Sequence, residues 1–332
     1  MRYIIIGAGA VGGVIGGRLF ESGHEVVLVA RGAHLAALRA GGLELTTPEG
    51  TRTLPVPAVG GPAELELSAD DVLLLAVKTQ HAEALLAEWS ARPVAGGGTA
   101  GEVLPVVTAQ NGVEGERLAL RHFRRVYGMC VWLPSTHLEP GKVSAAGLPK
   151  TGFLHVGRYP AGCDGTATRI CADLEGSVFR AVATAEVMAW KYGKLLGNVG
   201  NALEAVSGPA ESEAQLALTR RLAEEYQAAL AAAGIAYKSA QEQRAERGDL
   251  VNLQPLPGIT RGGGSSWQSL DRGTGTIEAD YLSGEAVLLG RLHGVPTPLN
   301  EALQRLANEF ARTGRAAGSL TEAELAELES LL

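Results

Sequence analysis

"YIIIGAGAVGGVIGGRLFESGHEVVLVAR", residues 3–31, decides the fold. Residues 3–6 form an apolar strand candidate, the run "GAGAVG" follows at once, and a helical stretch continues to about Ser22. "GHEVVLVAR" then supplies a turn and a second strand. An isolated G-x-G-x-x-G is weak evidence, but between a strand and a helix it is the arrangement that cradles a dinucleotide. Gly9 lets the backbone approach a pyrophosphate, and the helix N-terminus stabilises its charge. Gly7, Ala8, Gly9, Ala10, Val11 and Gly12 are therefore the expected cofactor-binding turn. A tight turn with a purely structural purpose is the competing reading.

Working outward, the end of the second strand decides between nicotinamide cofactors, because an acid there would accept from the 2′-hydroxyl of NADH. The strand ends Val29, Ala30, Arg31 without a carboxylate. Arg31 suits a 2′-phosphate, so NADP(H) is favoured; a solvated loop arginine is the alternative. Two further strands, "DVLLLAVKTQH" and "VLPVVTAQNGV", deliver Lys78 and then Gln110, Asn111 and Gly112 to their carboxyl ends, where ligands sit in open parallel sheets; taken alone, each reads as a polar loop. "ARPVAGGGTAGE" between them reads as a flexible turn. Beyond Val126, alternating segments such as "GFLHVGRY" (152–159) read as antiparallel strands extending the sheet to about Val182.

A chain of 332 residues, 46% hydrophobic and 20% charged, is long enough for two domains with real cores. Lys plus Arg number 29 against 36 Asp plus Glu, a net charge of −7, so no global basic surface awaits a nucleic acid. Cys130, Cys163 and Cys171 are odd in number and lack metal-ligand spacing, which suits a reducing cytoplasm and gives no metal site. The opening has Arg2 before fifteen uncharged residues, yet six of these are glycine and the run stops at Arg18, too short to span a bilayer. The expectation is a cytoplasmic protein without a membrane segment.

From Thr184 onward the periodicity is helical, with segments near 185–205, 212–233, 276–293 and 297–312 and a short tail helix begun by Thr321 and Glu324, a capping box. The expected division is a Rossmann-type α/β domain over 1–183 and an all-helical domain over 184–332. Residues 247–266, rich in Gly and Pro, read as a connection or a mobile lid. "WKYGKLLGNVGNALEAV" (190–206) reads as one helix of unusual composition. Lys194, Asn198 and Asn201 fall on one stripe and Gly193, Gly197 and Gly200 on the next, opposite Leu195, Leu196, Val199, Leu203 and Val206. Three interior glycines sacrifice roughly 3 kcal/mol relative to alanine, so a ligand or a packed neighbour is expected close to that backbone rather than plain solvent.

Together "IIIGAGAVGG", "GHEVVLVAR", "VKTQ", "QNGV", "WKYGKLLGN", "SSWQSLDRGTGTIEADYLSG" and "HGVPTPLN" resemble the ketopantoate reductase (2-dehydropantoate 2-reductase) family over nearly the whole chain. The resemblance implies a Rossmann domain followed by a helical domain of the 6-phosphogluconate dehydrogenase C-terminal type, with the active site between them. It also implies NADPH-dependent reduction of a 2-oxo acid to a 2-hydroxy acid, ketopantoate to pantoate in pantothenate biosynthesis. Lys194 matches the catalytic lysine that polarises the oxo group and protonates the developing alkoxide. Glu278 matches the acid that accepts from the substrate hydroxyl and positions the lysine. Asn111, Asn198, Asn201 and Ser266 match substrate-binding positions, and Arg31, Lys78 and Asn111 positions near the cofactor. A homodimer is compatible with this organisation.

Two departures stand out. The second asparagine follows the lysine by seven residues where the family often has eight, and "TRGGGSS" replaces the usual helical approach to Ser266, altering the pocket wall. Relatives in the 6-phosphogluconate and 3-hydroxy acid dehydrogenase group share the lysine and the asparagine four residues on, so a reductase or dehydrogenase of another 2-oxo or 3-hydroxy acid is the alternative enzyme. An NADPH-holding sensor without turnover is the non-enzymatic one. Taken singly, Ser266 suits an N-cap and Glu278 the first turn of a helix.

Overall fold

The computed structural model describes residues 1–259 and 263–332. Strand β1 (Arg2–Ile6), helix α1 (Ala10–Glu21), β2 (Glu25–Val29) and α2 (Gly32–Gly41) realise the opening stretch. After them come β3 (Leu43–Thr47), β4 (Gly50–Leu54), β5 (Ala58–Val59), β6 (Asp71–Leu75), α3 (Ala82–Ser90), α4 (Ala100–Val103), β7 (Pro105–Thr108), α5 (Glu114–Leu120) and β8 (Arg125–Trp132). Strands β9 (Ser135–Glu139), β10 (Lys142–Ala145), β11 (Gly147–Pro149) and β12 (Phe153–Arg158), helix α6 (Gly165–Glu175) and β13 (Arg180–Ala183) complete this run.

The main sheet has the order β13-β12-β8-β7-β6-β1-β2-β5. Its middle, β8-β7-β6-β1-β2, is parallel, which requires crossovers over both faces and therefore strands apolar on both sides. β1 shows this residue by residue. Tyr3 and Ile5 pack on one face with Val14, Ile15 and Leu19 of α1, while Ile4 and Ile6 pack on the other with Leu85, Leu86 and Trp89 of α3. β12 is antiparallel to β8, as its alternation suggests, but β13 is parallel to β12, because α6 carries the chain back before β13 begins. A second sheet, β4-β3-β10-β9, was not legible in the sequence.

Val178, between α6 and β13, has φ +65°, a backbone region that a β-branched side chain occupies only under strain. Its carbonyl accepts from the Thr151 N–H at 2.9 Å, which keeps the strained turn in place. Val178→Asn is expected to stabilise the protein by about 1 kcal/mol, since asparagine tolerates this region better. A thermal melt checks it; an unchanged or lowered midpoint would argue against stored strain.

The remaining elements are α7 (Val187–Asn198), α8 (Asn201–Ser207), α9 (Glu213–Ala232), α10 (Ala240–Arg247), β14 (Val251–Leu253), α11 (Ser265–Asp271), α12 (Ser283–His293), α13 (Pro298–Thr313) and α14 (Glu322–Glu329). The second half is thus largely helical, as expected, and Thr321 and Glu324 form the capping box on α14. The chain forms two compact units, Met1–Trp190 with Gln241–Thr260, and Lys191–Ala240 with Arg261–Leu332. Physical ties explain why residues 241–259 rejoin the first unit. β14 pairs antiparallel with β11, the Arg247 guanidinium lies 4.0 Å from the centre of the Trp132 ring, and His155 Nε2 lies 3.1 Å from Glu246 Oε1. The stretch expected as one loop therefore contains a paired strand at 251–253, while its part at 260–262 lies outside the described residues.

The helix expected over 190–206 is two helices. α7 ends at Asn198 and α8 starts at Asn201, with Gly200 as its N-cap. Glycine and asparagine weaken a helix interior, and their concentration at 197–201 is where the run gives way. Leu195, Val199, Leu203 and Val206 are still buried, so the apolar face survives the interruption. Among the described residues no helix is long and apolar enough to cross a membrane.

Candidate active site

In the first unit the sequence-predicted positions gather at the carboxyl ends of four adjacent strands, β7-β6-β1-β2. Register fixes this, because Ile6 aligns with Val29 and Leu75, and Leu75 with Thr108. Asn111, Lys78, the Gly7–Gly12 turn and Arg31 each follow one of these strand ends. The chain proceeds from β1 to β2 on one side and reaches β6 on the other, so the crevice at which such sheets bind ligands opens between β1 and β6.

The glycines there have separable roles. Gly7 has φ +101°, and a Cβ on it would lie 2.6 Å from Val77 Cγ1 and 2.9 Å from Val77 N, so the turn hugs the end of β6. A Cβ on Gly12 would collide with the Gly7 carbonyl and sit 2.9 Å from Ala76 Cβ, so this glycine serves close helix-on-strand packing. Around Gly9, in contrast, a Cβ would meet nothing within 4 Å. Gly9 is also the N-cap of α1, without a side-chain cap bond and without an acid in the first turn. An open backbone at an uncapped helix N-terminus fits a pyrophosphate. Arg31, at the N-cap of α2, has its side chain 73% exposed and a loose 4.0 Å ion pair with Glu88, leaving the guanidinium accessible to a ribose phosphate.

His34 braces this turn, and nothing in the sequence pointed to it. Its Nδ1 accepts the Gly141 N–H at 2.9 Å, so Nε2 carries the proton and donates to the Ala8 carbonyl at 2.8 Å. Burial pushes the His34 pKa down, outweighing the opposite effect of the Ala8 carbonyl, which favours this neutral form. His137, given no role in the sequence reading, stacks edge-on against His34 with ring centres 4.7 Å apart.

In the second unit, α7 carries Lys194 and Asn198, both partly exposed, whereas Lys191 is buried. Asn201 opens α8, and its Cγ lies 3.9 Å from where a Gly264 Cβ would be, so it faces the approach to Ser266. Ser266 is not an N-cap. Gly264 holds that position on α11, and Ser266 lies inside the first turn, 2% exposed, its Oγ without a hydrogen-bond partner among the described residues. A buried hydroxyl left unsatisfied is costly unless water or a bound group pairs with it. Glu278 begins a 3-10 turn rather than an α-helix and is buried. The Ser283 hydroxyl donates to the Val199 carbonyl at 3.3 Å, tying the segment after Glu278 to the end of the Lys194 helix. The unit thus joins Asn201 to the Ser266 segment and α7 to the Glu278 segment.

"GVPTPLN" turns out to be architectural. Buried Glu225 of α9 accepts from the backbone N–H groups of Leu299 at 3.2 Å and Asn300 at 3.0 Å and from the Asn300 amide at 2.9 Å, capping α13 where Thr297 makes no side-chain cap.

Comparison with known proteins gives this arrangement a family. The description "Ketopantoate reductase PanE/ApbA" matches residues 3–160, and its C-terminal counterpart matches residues 186–311. A 2-dehydropantoate 2-reductase of Mesorhizobium japonicum is 28% identical, with 94% of this chain and 98% of that protein covered. One of Archaeoglobus fulgidus is 26% identical over 92% of this chain and 96% of its own length. The crystal structure of a PanE/ApbA family ketopantoate reductase from Ralstonia eutropha superposes with a TM-score of 0.78 at 26% identity, covering 95% of this chain and all (100%) of that one. A D-mandelate dehydrogenase solved with NADH and anilino(oxo)acetate shares the fold, with a TM-score of 0.77 at 20% identity over 95% and 100% of the two chains. With both halves matched in order, the chain belongs to the ketopantoate reductase PanE/ApbA family of oxidoreductases.

Proposed function

We propose that the protein is a cytoplasmic NADPH-dependent reductase of a 2-oxo acid, with 2-dehydropantoate as the leading substrate and pantoate as its product. The observation that carries the cofactor assignment is the open Gly9 backbone at the uncapped start of α1, with the exposed Arg31 guanidinium at the end of the neighbouring strand. Ala8, Ala10 and Val11 complete the turn that holds the pyrophosphate, and Lys78 and Asn111 follow the ends of the next two strands, β6 and β7. The bound reduced nicotinamide supplies hydride. The Lys194 ammonium stabilises the negative charge that develops on the substrate oxygen and donates a proton to it. Glu278 accepts from the resulting hydroxyl and positions the lysine. Asn198, Asn201, Asn111 and the buried Ser266 hydroxyl orient the substrate.

The reading is tested by NADPH oxidation with a panel of 2-oxo acids that includes 2-dehydropantoate; failure of every one of them would dismiss it. Arg31→Ala is expected to weaken NADPH about tenfold, the value of one charge-assisted phosphate contact, while leaving NADH unchanged. Tighter binding of NADH than NADPH by the unaltered protein would rule out the assignment of Arg31.

A further inference from the structure

The glycine run before Ser266 has a physical partner. Glu204, in the first turn of α8, accepts the Gly264 N–H through Oε1 at 3.1 Å. A Cβ on Gly263 would lie 2.6 Å from Glu204 Oε1, and one on Gly264 2.8 Å from Oε2. The departure from the family pattern therefore makes room for a carboxylate. That carboxylate is half-buried, and among the described residues no cation pairs with it. Near it, around the Gly264 backbone, lies the Asn201 side chain, and the two residues that follow Gly264 in the chain, Ser265 and Ser266, have buried hydroxyls without a hydrogen-bond partner among the described residues. A half-buried carboxylate that no cation pairs with among the described residues favours a donor, and a cation most of all, brought against it.

We propose that Glu204 makes this site select 2-oxo acids whose chain ends in a hydrogen-bond donor, a cationic group best of all; the proposal rests on the 2-oxo acid reductase reading given above. The donor lies against Glu204 and the serine hydroxyls, while a second carboxylate at that end of the substrate is repelled. The competing reading is that Glu204 only anchors the Gly264 amide. Glu204→Gln separates the two, because the amide oxygen still accepts from Gly264 while the charge is lost and the second oxygen becomes an NH2 donor.

Binding of three 2-oxo acids of matched length, tailed with a guanidinium, an alkyl group or a carboxylate, is measured by calorimetry on protein saturated with NADP+, which cannot reduce them. In the unaltered protein the guanidinium compound is expected to bind about tenfold or more tightly than the carboxylate compound, with the alkyl compound between, as partly buried charges in a medium of intermediate dielectric require. In Glu204→Gln the spread falls to about threefold while the melting midpoint stays in place, a result that mere anchoring does not produce. Equal binding of the cationic and acidic compounds, an unaltered order in the variant, or no binding of any of them overturns the proposal. Turnover of 2-dehydropantoate and of these acids with NADPH is scored separately: its absence alone, with the binding order intact, sinks the reductase reading and not the assignment of Glu204.

Discussion

Lys194→Ala is expected to lower kcat by about 100-fold or more with NADPH and the best 2-oxo acid, leaving the affinity for NADPH nearly unchanged. Hydride addition to a carbonyl puts a full negative charge on oxygen, and an ammonium aimed at that charge contributes to the transition state far more than to the bound ketone. The loss therefore falls on kcat rather than on KM. Lys194→Arg keeps the charge but holds its proton too tightly to give it away, so it should recover only part of the rate. Steady-state kinetics of the three proteins decides the matter. Turnover of Lys194→Ala within a few-fold of the parent would remove the lysine from the mechanism.

Glu225→Ala is expected to destabilise the helical unit by about 3 kcal/mol, which lowers its melting midpoint by roughly 6–12 °C. The variant leaves two N–H groups of α13 and the Asn300 amide buried without the carboxylate that accepts from them, and unsatisfied buried donors carry nearly their full desolvation penalty. Glu225→Gln keeps one acceptor oxygen and should lose less. Calorimetric melting distinguishes the three proteins; an unshifted midpoint in Glu225→Ala would show that Thr297 or water caps α13 equally well.

The nucleotide half was legible because its signals are local. A strand that must be apolar on both faces, a turn that only glycine can make, and a helix packed too closely for a Cβ at Gly12 all leave their mark within a dozen residues. The polar stripe of the second half was legible in part. Lys194 and Asn198 share α7, but a helical wheel assumes one continuous helix and so passed over the break at Val199 and Gly200, although the glycines and asparagines at 197–201 mark it. β14 escaped notice because three residues whose pairing partner lies about a hundred positions earlier have no periodicity to read. His34 and Glu204 were missed for a related reason. Each acts on a backbone group distant in sequence, the Ala8 carbonyl and the Gly264 amide, and a lone histidine or glutamate on a helix carries no sign of such a target.

The return of residues 241–259 to the sheet unit bears on how this gene product could be dissected. A fragment cut at the family-level midpoint would lack the strand that covers β11 and the arginine that shields Trp132. Its edge would offer free amides and carbonyls to any extended chain nearby, so the severed half should form insoluble assemblies unless a peptide carrying residues 241–259 is supplied alongside it.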